Sequence, residues 1–265
     1  MDHRFENITR SAFVCSRKVT KGRKREVSGF PPSGRHRLNS YQAQCASNLH
    51  QWGVAYALYA GDFNEQFPDN LLGRDVSWMS PTFQNTFYPA YLYKTDPGAK
   101  ATGTRALNDV LYCPTDLWHR QYEAATSSTN LIGYSTLPYR TGPTYASWAN
   151  YNNVLCNNLG QWFARTKLGS KYRNAPVMAD DIESENGGWN VNPAISMSGY
   201  AYSGPASSHV NSDGAPQGGN FLFEDGHVEW IKFVGSITSP QTIQRAAQGT
   251  APANIYYLYP VQYGK

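Results

Sequence analysis

The chain has 265 residues, 40% of them hydrophobic and 14% aromatic, but only 16% charged, against roughly 25% in an average soluble protein. With 23 Gly, 16 Pro and 19 Tyr and no recurring period, it is neither a coiled coil nor a repeat solenoid, and no apolar run approaches the roughly 18 residues of a membrane span. The net charge of +4 is uneven: residues 1–40 hold ten Lys/Arg and three Asp/Glu, and the rest hold thirteen and sixteen, so the basic character belongs to the N-terminal segment and not to a polyanion-binding body.

Residues 1–40 show no helical or strand periodicity and run into Gly29-Phe30-Pro31-Pro32-Ser33-Gly34, a breaker-rich stretch. They read as a disordered, basic, leader-like segment ahead of one globular domain at 41–265. No aromatics interleave with the basic run Arg17 to Arg25, so base stacking is not expected and nucleic acid is not a predicted partner.

The first regular element begins near Ser40. Cys45, Leu49, Trp52, Tyr56, Tyr59 and Phe63 follow alternating steps of four and three, which places them on one stripe of a helix. Gly61 and Asn64 supply stop signals and Pro68 forbids continuation. So aromatic a stripe needs a broad apolar partner, and a sheet face fits.

Beyond Pro68, short apolar segments alternate with Gly, Pro, Asn and Asp. Val110–Cys113, Gly133–Leu137, Ala175–Ala179, Asn220–Glu224 and His227–Phe233 are the predicted strands. Residues 94–104 and 184–219 are predicted as long loops, and no second helix matches the first. The predicted class is α+β, a long N-terminal helix packed on an antiparallel sheet.

Asp225-Gly226 between two alternating runs predicts a hairpin with a two-residue turn. That register opposes Glu224 to His227, Phe223 to Val228, Leu222 to Glu229 and Phe221 to Trp230. It seats Phe221, Phe223, Val228 and Trp230 on the helix face, with Glu224 and His227 as an acid/base pair on the other. A fully buried Trp230 would cost roughly 3–5 kcal/mol on truncation to Ala.

Chemistry-bearing motifs are few. There is no Gly-x-Ser-x-Gly elbow, phosphate loop, dinucleotide fingerprint or His-Glu-x-x-His. His209, Asp225 and His227 read either as turn and surface polarity or as a metal-dependent hydrolytic set, at spacings that match no zinc pattern. The carboxyl-rich stretches Asp180-Asp181-Ile-Glu183-Ser-Glu185 and Asp213-Gly214 are oxygen-rich and suited to a hard cation such as calcium, with Asp180, Asp181 and Asp213 the leading positions; no other cofactor is indicated. The many Trp and Tyr residues serve either as core or as sugar-stacking platforms.

None of the four cysteines, Cys15, Cys45, Cys113 and Cys156, forms a Cys-x-x-Cys pair, which disfavours zinc-ribbon and thioredoxin-type sites. Cys45 lies on the inward stripe of the helix and Cys113 ends a predicted strand. They form either a helix-to-sheet disulfide, closing roughly 69 residues and contributing about 4 kcal/mol by the chain-entropy relation, or two buried thiols. Cys156 is free or pairs with Cys15.

Several stretches, taken in order, resemble the prepilin-type, pseudopilin-like proteins that carry a C-terminal His-X9-Asp-Gly domain. Cys45-Ala-Ser-Asn48-Leu49-His-Gln51-Trp-Gly53, then Tyr59-Ala-Gly-Asp62 and Phe67-Pro68, are similar to the start of that family's globular part. Tyr112-Cys113-Pro114-Thr115-Asp116 resembles its Cys-Pro-Ser-Asp box, Gly133-Tyr134-Ser135 its Ser-Tyr-Gly strand, and Val177-Met178-Ala179-Asp180 its apolar strand ending in Asp. His209 followed by Asp225-Gly226-His227 resembles the naming motif, with fifteen intervening residues in place of nine. Gly29-Phe30 resembles a degenerate processing junction, with Pro31-Pro32-Ser33-Gly34 where the family has an apolar helix, as in a degraded or mis-started leader. A chain without that helix is expected to be soluble and unable to polymerise by the family's usual route.

The resemblance implies a non-enzymatic structural subunit of a type II secretion or type IV pilus-like assembly. It would be extracytoplasmic and partnered by other pilin-like subunits or secretion machinery. Two other classes compete with it. A secreted glycan-binding module on the same fold requires two or three coplanar exposed aromatics and a polysaccharide partner. A hydrolase requires His209, Asp225 and His227 around one point.

Overall fold

The structure, a computed structural model, describes residues 34–70, 77–92, 110–126, 131–139, 165–169, 173–185, 188–190, 202–236, 243–248 and 255–260. The expectations for residues 1–33, with the Gly29-Phe30 junction, for the 94–104 loop and for Cys15 and Cys156 lie outside them. The fold is α+β, with an antiparallel four-stranded sheet and a few helices.

Helix α1 spans Gly34–Asp62, so it begins six positions before the expected Ser40. Cys45, Leu49, Trp52 and Tyr56 are buried, as their spacing requires. Phe63 is not on that stripe. The helix ends at Asp62, Asn64 and Glu65 turn left-handed (φ 53° and 65°), and Phe63 lies 41% exposed with its ring 4.3 Å from that of Tyr59. The polar tips of the buried aromatics are paired, as burial demands. Trp52 Nε1 donates to the Val110 carbonyl at 3.0 Å, and the Tyr56 hydroxyl is 3.0 Å from Thr136 Oγ1.

Two helices escaped the periodicity. A π-helix at Phe83–Leu92 contains Pro89 and is capped by Ser80, whose Oγ accepts the Phe83 N–H at 3.1 Å. Its Phe83 and Phe87 rings each lie 6.2 Å from Trp52, and Phe87 stacks on Tyr56 at 5.4 Å. Helix α2 covers Leu117–Thr126.

The larger sheet has the order β1 (Tyr134–Thr136), β2 (Met178–Asp180), β4 (Gly218–Leu222), β5 (Val228–Lys232), all antiparallel. Val110–Cys113 is not one of its strands; Tyr112 makes only an isolated parallel bridge to Gly133. A second sheet was not expected. It joins β3 (Glu183–Glu185), β7 (Ile255–Pro260) and β6 (Ile243–Gln248), and β3 opens the stretch expected to be loop.

The β4–β5 register differs by one residue from the expected one. Leu222 pairs with Val228, Phe221 with Glu229 and Asn220 with Trp230. The Phe223 N–H donates to the His227 carbonyl and the Gly226 N–H to the Phe223 carbonyl, each at 3.0 Å. Three residues, Glu224 to Gly226, therefore form the loop, with Gly226 left-handed at φ 85°, the pattern of a type I turn closed by a glycine bulge. A slip of one residue exchanges the faces of one strand. Leu222 joins the α1 core with Val228 against it, Asn220 Nδ2 donates to the Gln42 carbonyl of α1, and Phe221 and Phe223 are buried on the opposite side. Trp230 is half-buried, so the truncation cost expected for a fully buried residue does not apply.

Candidate functional site: a buried histidine–carboxylate network

The Tyr112-Cys113-Pro114-Thr115-Asp116 segment supplies a ligand-like group at nearly every position. Cys113 is bonded to Cys45 of α1, with Cα atoms 5.1 Å apart. Thr115 Oγ1 lies 3.1 Å from Cys113 Sγ and accepts the His209 N–H at 3.0 Å. Asp116 caps α2: its Oδ1 accepts the His119 N–H at 3.1 Å and its Oδ2 lies 3.0 Å from His119 Nδ1, the position three into the helix that an N-cap serves. A Cβ on Gly133 would overlap both Asp116 Oδ2 and the Tyr112 ring, so only glycine admits this approach. The Tyr112 hydroxyl donates to Glu123 Oε2 at 2.5 Å.

His209 is buried and itself left-handed, at φ 50°. Its Nε2 lies 3.3 Å from Cys113 Sγ and 3.1 Å from Asp180 Oδ2, and its ring meets Trp230 edge-on at 5.3 Å. One nitrogen faces both the sulfur and the carboxylate, so the three do not form a nucleophile–base–orienter relay, which needs the two ring nitrogens separately. The residues separating His209 from the hairpin loop outward and return. Val210 bridges Pro216, and the Gln217 N–H donates to the His209 carbonyl at 2.8 Å. The longer spacing thus leaves His209 against β5.

Asp180 Oδ2 also accepts the Asn220 N–H at 2.7 Å and Asn220 Nδ2 at 2.8 Å. Its Oδ1 and His209 Nδ1 have no hydrogen-bond partner among the described residues. The next residue, Asp181, turns the other way, with Oδ1 accepting from the Ser135 hydroxyl at 3.1 Å and Oδ2 lying 3.4 Å from His119 Nε2. His119, Asp181 and Glu183 place one ligand atom each within 4.8 Å of one another. Asn48 Nδ2 donates to the Tyr134 hydroxyl at 3.1 Å and the Tyr112 carbonyl at 3.3 Å. Burial, reinforced by the nearby Asp180 charge, holds the Tyr134 phenol well above its usual pKa, so it stays protonated.

Other expected site residues are placed elsewhere. Asp225 and His227 sit exposed at the hairpin tip, paired with each other, and hydrogen bonding led by the His227 backbone N–H holds the Asp225 carboxyl below its usual range. They line a 480 Å³ cleft with Arg173, Asn174 and Phe223, while His209 lies buried against Cys113, so the three-residue hydrolytic set is not assembled. Glu224 does not pair with His227. It makes a buried ion pair with Arg165 at 3.0 Å and accepts the Gly169 N–H at 2.7 Å. Desolvation lowers the Arg165 pKa to about 10, which leaves it cationic at neutral pH. Asp213 is exposed in a turn, accepting the Ala215 N–H at 3.2 Å, apart from buried Asp180 and Asp181, so the three do not form one cation site. Among the residues whose exposure is described, Phe63 is the one Phe, Tyr or Trp that lies exposed, and the three tyrosines of β7 lie outside that description.

The sequence pattern did not point to His119, Glu123 or Arg165, whereas Glu183 belongs to the carboxyl-rich stretch expected to suit a hard cation. Of the first three, only His119 had a signal, three residues after a capping Asp. No family model matches this sequence, and no curated protein or solved structure matches it.

Proposed function

We propose that the chain is a pseudopilin-like, non-enzymatic structural subunit of a type II secretion or type IV pilus-like assembly, working outside the cytoplasm beside other pilin-like subunits. The observation that carries the reading is convergence. The segments that resemble the family are far apart in sequence, yet they meet in one network: Cys45 on Cys113, Asn48 on Tyr134, Asp180 on Asn220, and His209 on Cys113 and Asp180. An accidental likeness of short motifs has no reason to bring them into contact.

In this reading α1 is the pilin-like helix laid on the antiparallel sheet. The network fastens its inner face, while Val54 and Leu58, 61% and 55% exposed, present an apolar pair one turn apart on its outer face for a neighbouring subunit. Burial of the network suits a fastening role better than turnover. The disulfide is compatible with an oxidising compartment. Among the described residues no helix is long and apolar enough to cross a membrane.

The test is a photocrosslinking residue at Leu58 in the native cell. The expected adduct is with a pilin-like subunit, and it disappears when the assembly ATPase is deleted. Adducts unaffected by that deletion, or none, overturn the proposal.

A further inference from the structure

We propose that Cys45, Cys113, Asp180 and His209, once the disulfide is reduced, form a four-ligand zinc site, so that the same buried side chains serve alternately as a covalent bridge and a metal centre. This is independent of the pilin-like reading.

The geometry supplies the set. All four side chains are at most 1% exposed, and one ligand atom from each lies within 4.8 Å of all the others. His209 Nε2 is 3.3 Å from Cys113 Sγ, close to the edge of a tetrahedron built on zinc–ligand bonds of about 2.0–2.3 Å, and 3.1 Å from Asp180 Oδ2, the anchored oxygen of the same carboxylate. Thiolate, imidazole and carboxylate are all zinc ligand types, and four of them close a tetrahedral site; the thiolates argue against calcium or magnesium. The independent observation is Asp180 Oδ1. It is buried and has no partner among the described residues, while Oδ2 is held by both Asn220 donors. One oxygen is thus anchored from outside, as metal-ligating carboxylates are, and the other is left for a cation.

The chemistry balances with a dithiol as reductant. Its two thiols are oxidised to a disulfide as the Cys45–Cys113 bond is reduced to two thiols. Zinc then displaces the two thiol protons and binds two thiolates, the Asp180 carboxylate and neutral His209. The sulfurs, on Cα atoms 5.1 Å apart, must separate to about 3.8 Å, the edge set by Zn–S bonds of about 2.3 Å.

The test uses the full chain, reduced with dithiothreitol, freed of it anaerobically, and titrated with Co²⁺ and then Zn²⁺. One Co²⁺ per chain is expected, with thiolate-to-cobalt charge-transfer absorption and tetrahedral visible bands that Zn²⁺ abolishes; the oxidised chain takes up none. His209→Ala and Asp180→Ala should each weaken binding at least about tenfold, the lower end of what losing even an outer partner costs. Cys15→Ser with Cys156→Ser should bind as the parent does, and His119→Ala should leave the spectrum unchanged, which separates this site from the neighbouring His119–Asp181–Glu183 group. A second measurement needs no variant: Zn²⁺ should slow alkylation of Cys45 and Cys113 in the reduced parent chain. No stoichiometric uptake, unchanged affinity in both ligand variants, or no protection of those two thiols overturns the proposal.

Discussion

Replacing Cys45 and Cys113 together by Ala removes the cross-link that ties α1 to the Tyr112–Asp116 segment. The two residues are 68 positions apart, and the chain-entropy relation gives about 4 kcal/mol at 25 °C for closing such a loop in the unfolded state. The lost side-chain packing is a smaller addition, since both positions stay apolar and small. The assay is urea unfolding followed by tryptophan fluorescence, in which Trp52, fully buried between Phe83 and Phe87, reports on the α1 core. Two changes are expected in the variant relative to the oxidised parent. The unfolding free energy falls by about 4 kcal/mol, and the denaturant slope rises, because an uncrosslinked unfolded chain exposes more surface. The oxidised parent treated with reductant should move the same way. A loss below about 1.5 kcal/mol with an unchanged slope would refute the reasoning, because a bridge that constrains the unfolded chain cannot leave both quantities alone.

Asp116→Asn should retain the α2 cap and cost under about 1 kcal/mol, whereas Asp116→Ala should cost about 1–2 kcal/mol as the cap is lost; thermal unfolding of the pair ranks them. Gly226→Asn should be mild and Gly226→Val should cost about 2 kcal/mol, since φ is 85° but nothing lies within 4 Å of a new Cβ, leaving backbone strain as the whole penalty; urea midpoints separate the two. Arg165→Met should destabilise by about 3–5 kcal/mol through the stranded Glu224 carboxylate, and Arg165→Met with Glu224→Leu should recover most of it, read from the same unfolding curves. Alkaline titration isolates Tyr134. Its phenol is raised when folded, so its contribution is intact below pH ~10, the unfolded value, and is lost as pH climbs from there toward the folded value. Arg165, lowered to about 10, pulls in the opposite sense over that range, so the readout is the difference between parent and Tyr134→Phe, whose stability should fall less steeply above pH ~10.

How much of this was legible in the chain depends on which side chains each element buries. Helix α1 was legible because Cys45, Leu49, Trp52 and Tyr56 bury an apolar stripe at helical spacing. Helix α2 was not, because it inverts the rule: Leu117 is 49% exposed, while His119 and Glu123 are 4% and 2% exposed. A helix whose buried face is charged carries no hydrophobic period to detect. The π-helix was hidden for another reason, since Pro89 forbids an α-helical reading of Phe83, Phe87 and Tyr91 at steps of four. The Asp225-Gly226 turn was plain, but its length was not. Two- and three-residue loops both accept a left-handed Gly at that place. What distinguishes them here is Glu224, which leaves the strand ladder and reaches Arg165, 59 positions earlier in the chain.

That one-residue difference decides which side chains of β5 face the centre of the molecule. With the expected register, Asn220 stands opposite Ile231 and Phe221 opposite Trp230. With the observed register, Asn220 and Trp230 are partners on the α1 side of the sheet. Asn220 then delivers two donors to Asp180, and Trp230 presents its ring to His209. Of these, the β4–β5 register decides the indole alone: Asp180 is fixed by β4 through the β2–β4 pairing, and His209 is wedged between that carboxylate, Cys113 and the Trp230 ring. The alternative in which His209 works with Asp225 and His227 needs nearness in a motif to be nearness in space. On a hairpin, residues at the turn and residues three positions along β5 lie at different heights and here on opposite faces. The turn can therefore carry an exposed cleft while the far end of the same ribbon closes a buried network. In this chain the ribbon is pinned at its far end by His209 against Trp230, while the left-handed Gly226 makes the reversal at the other.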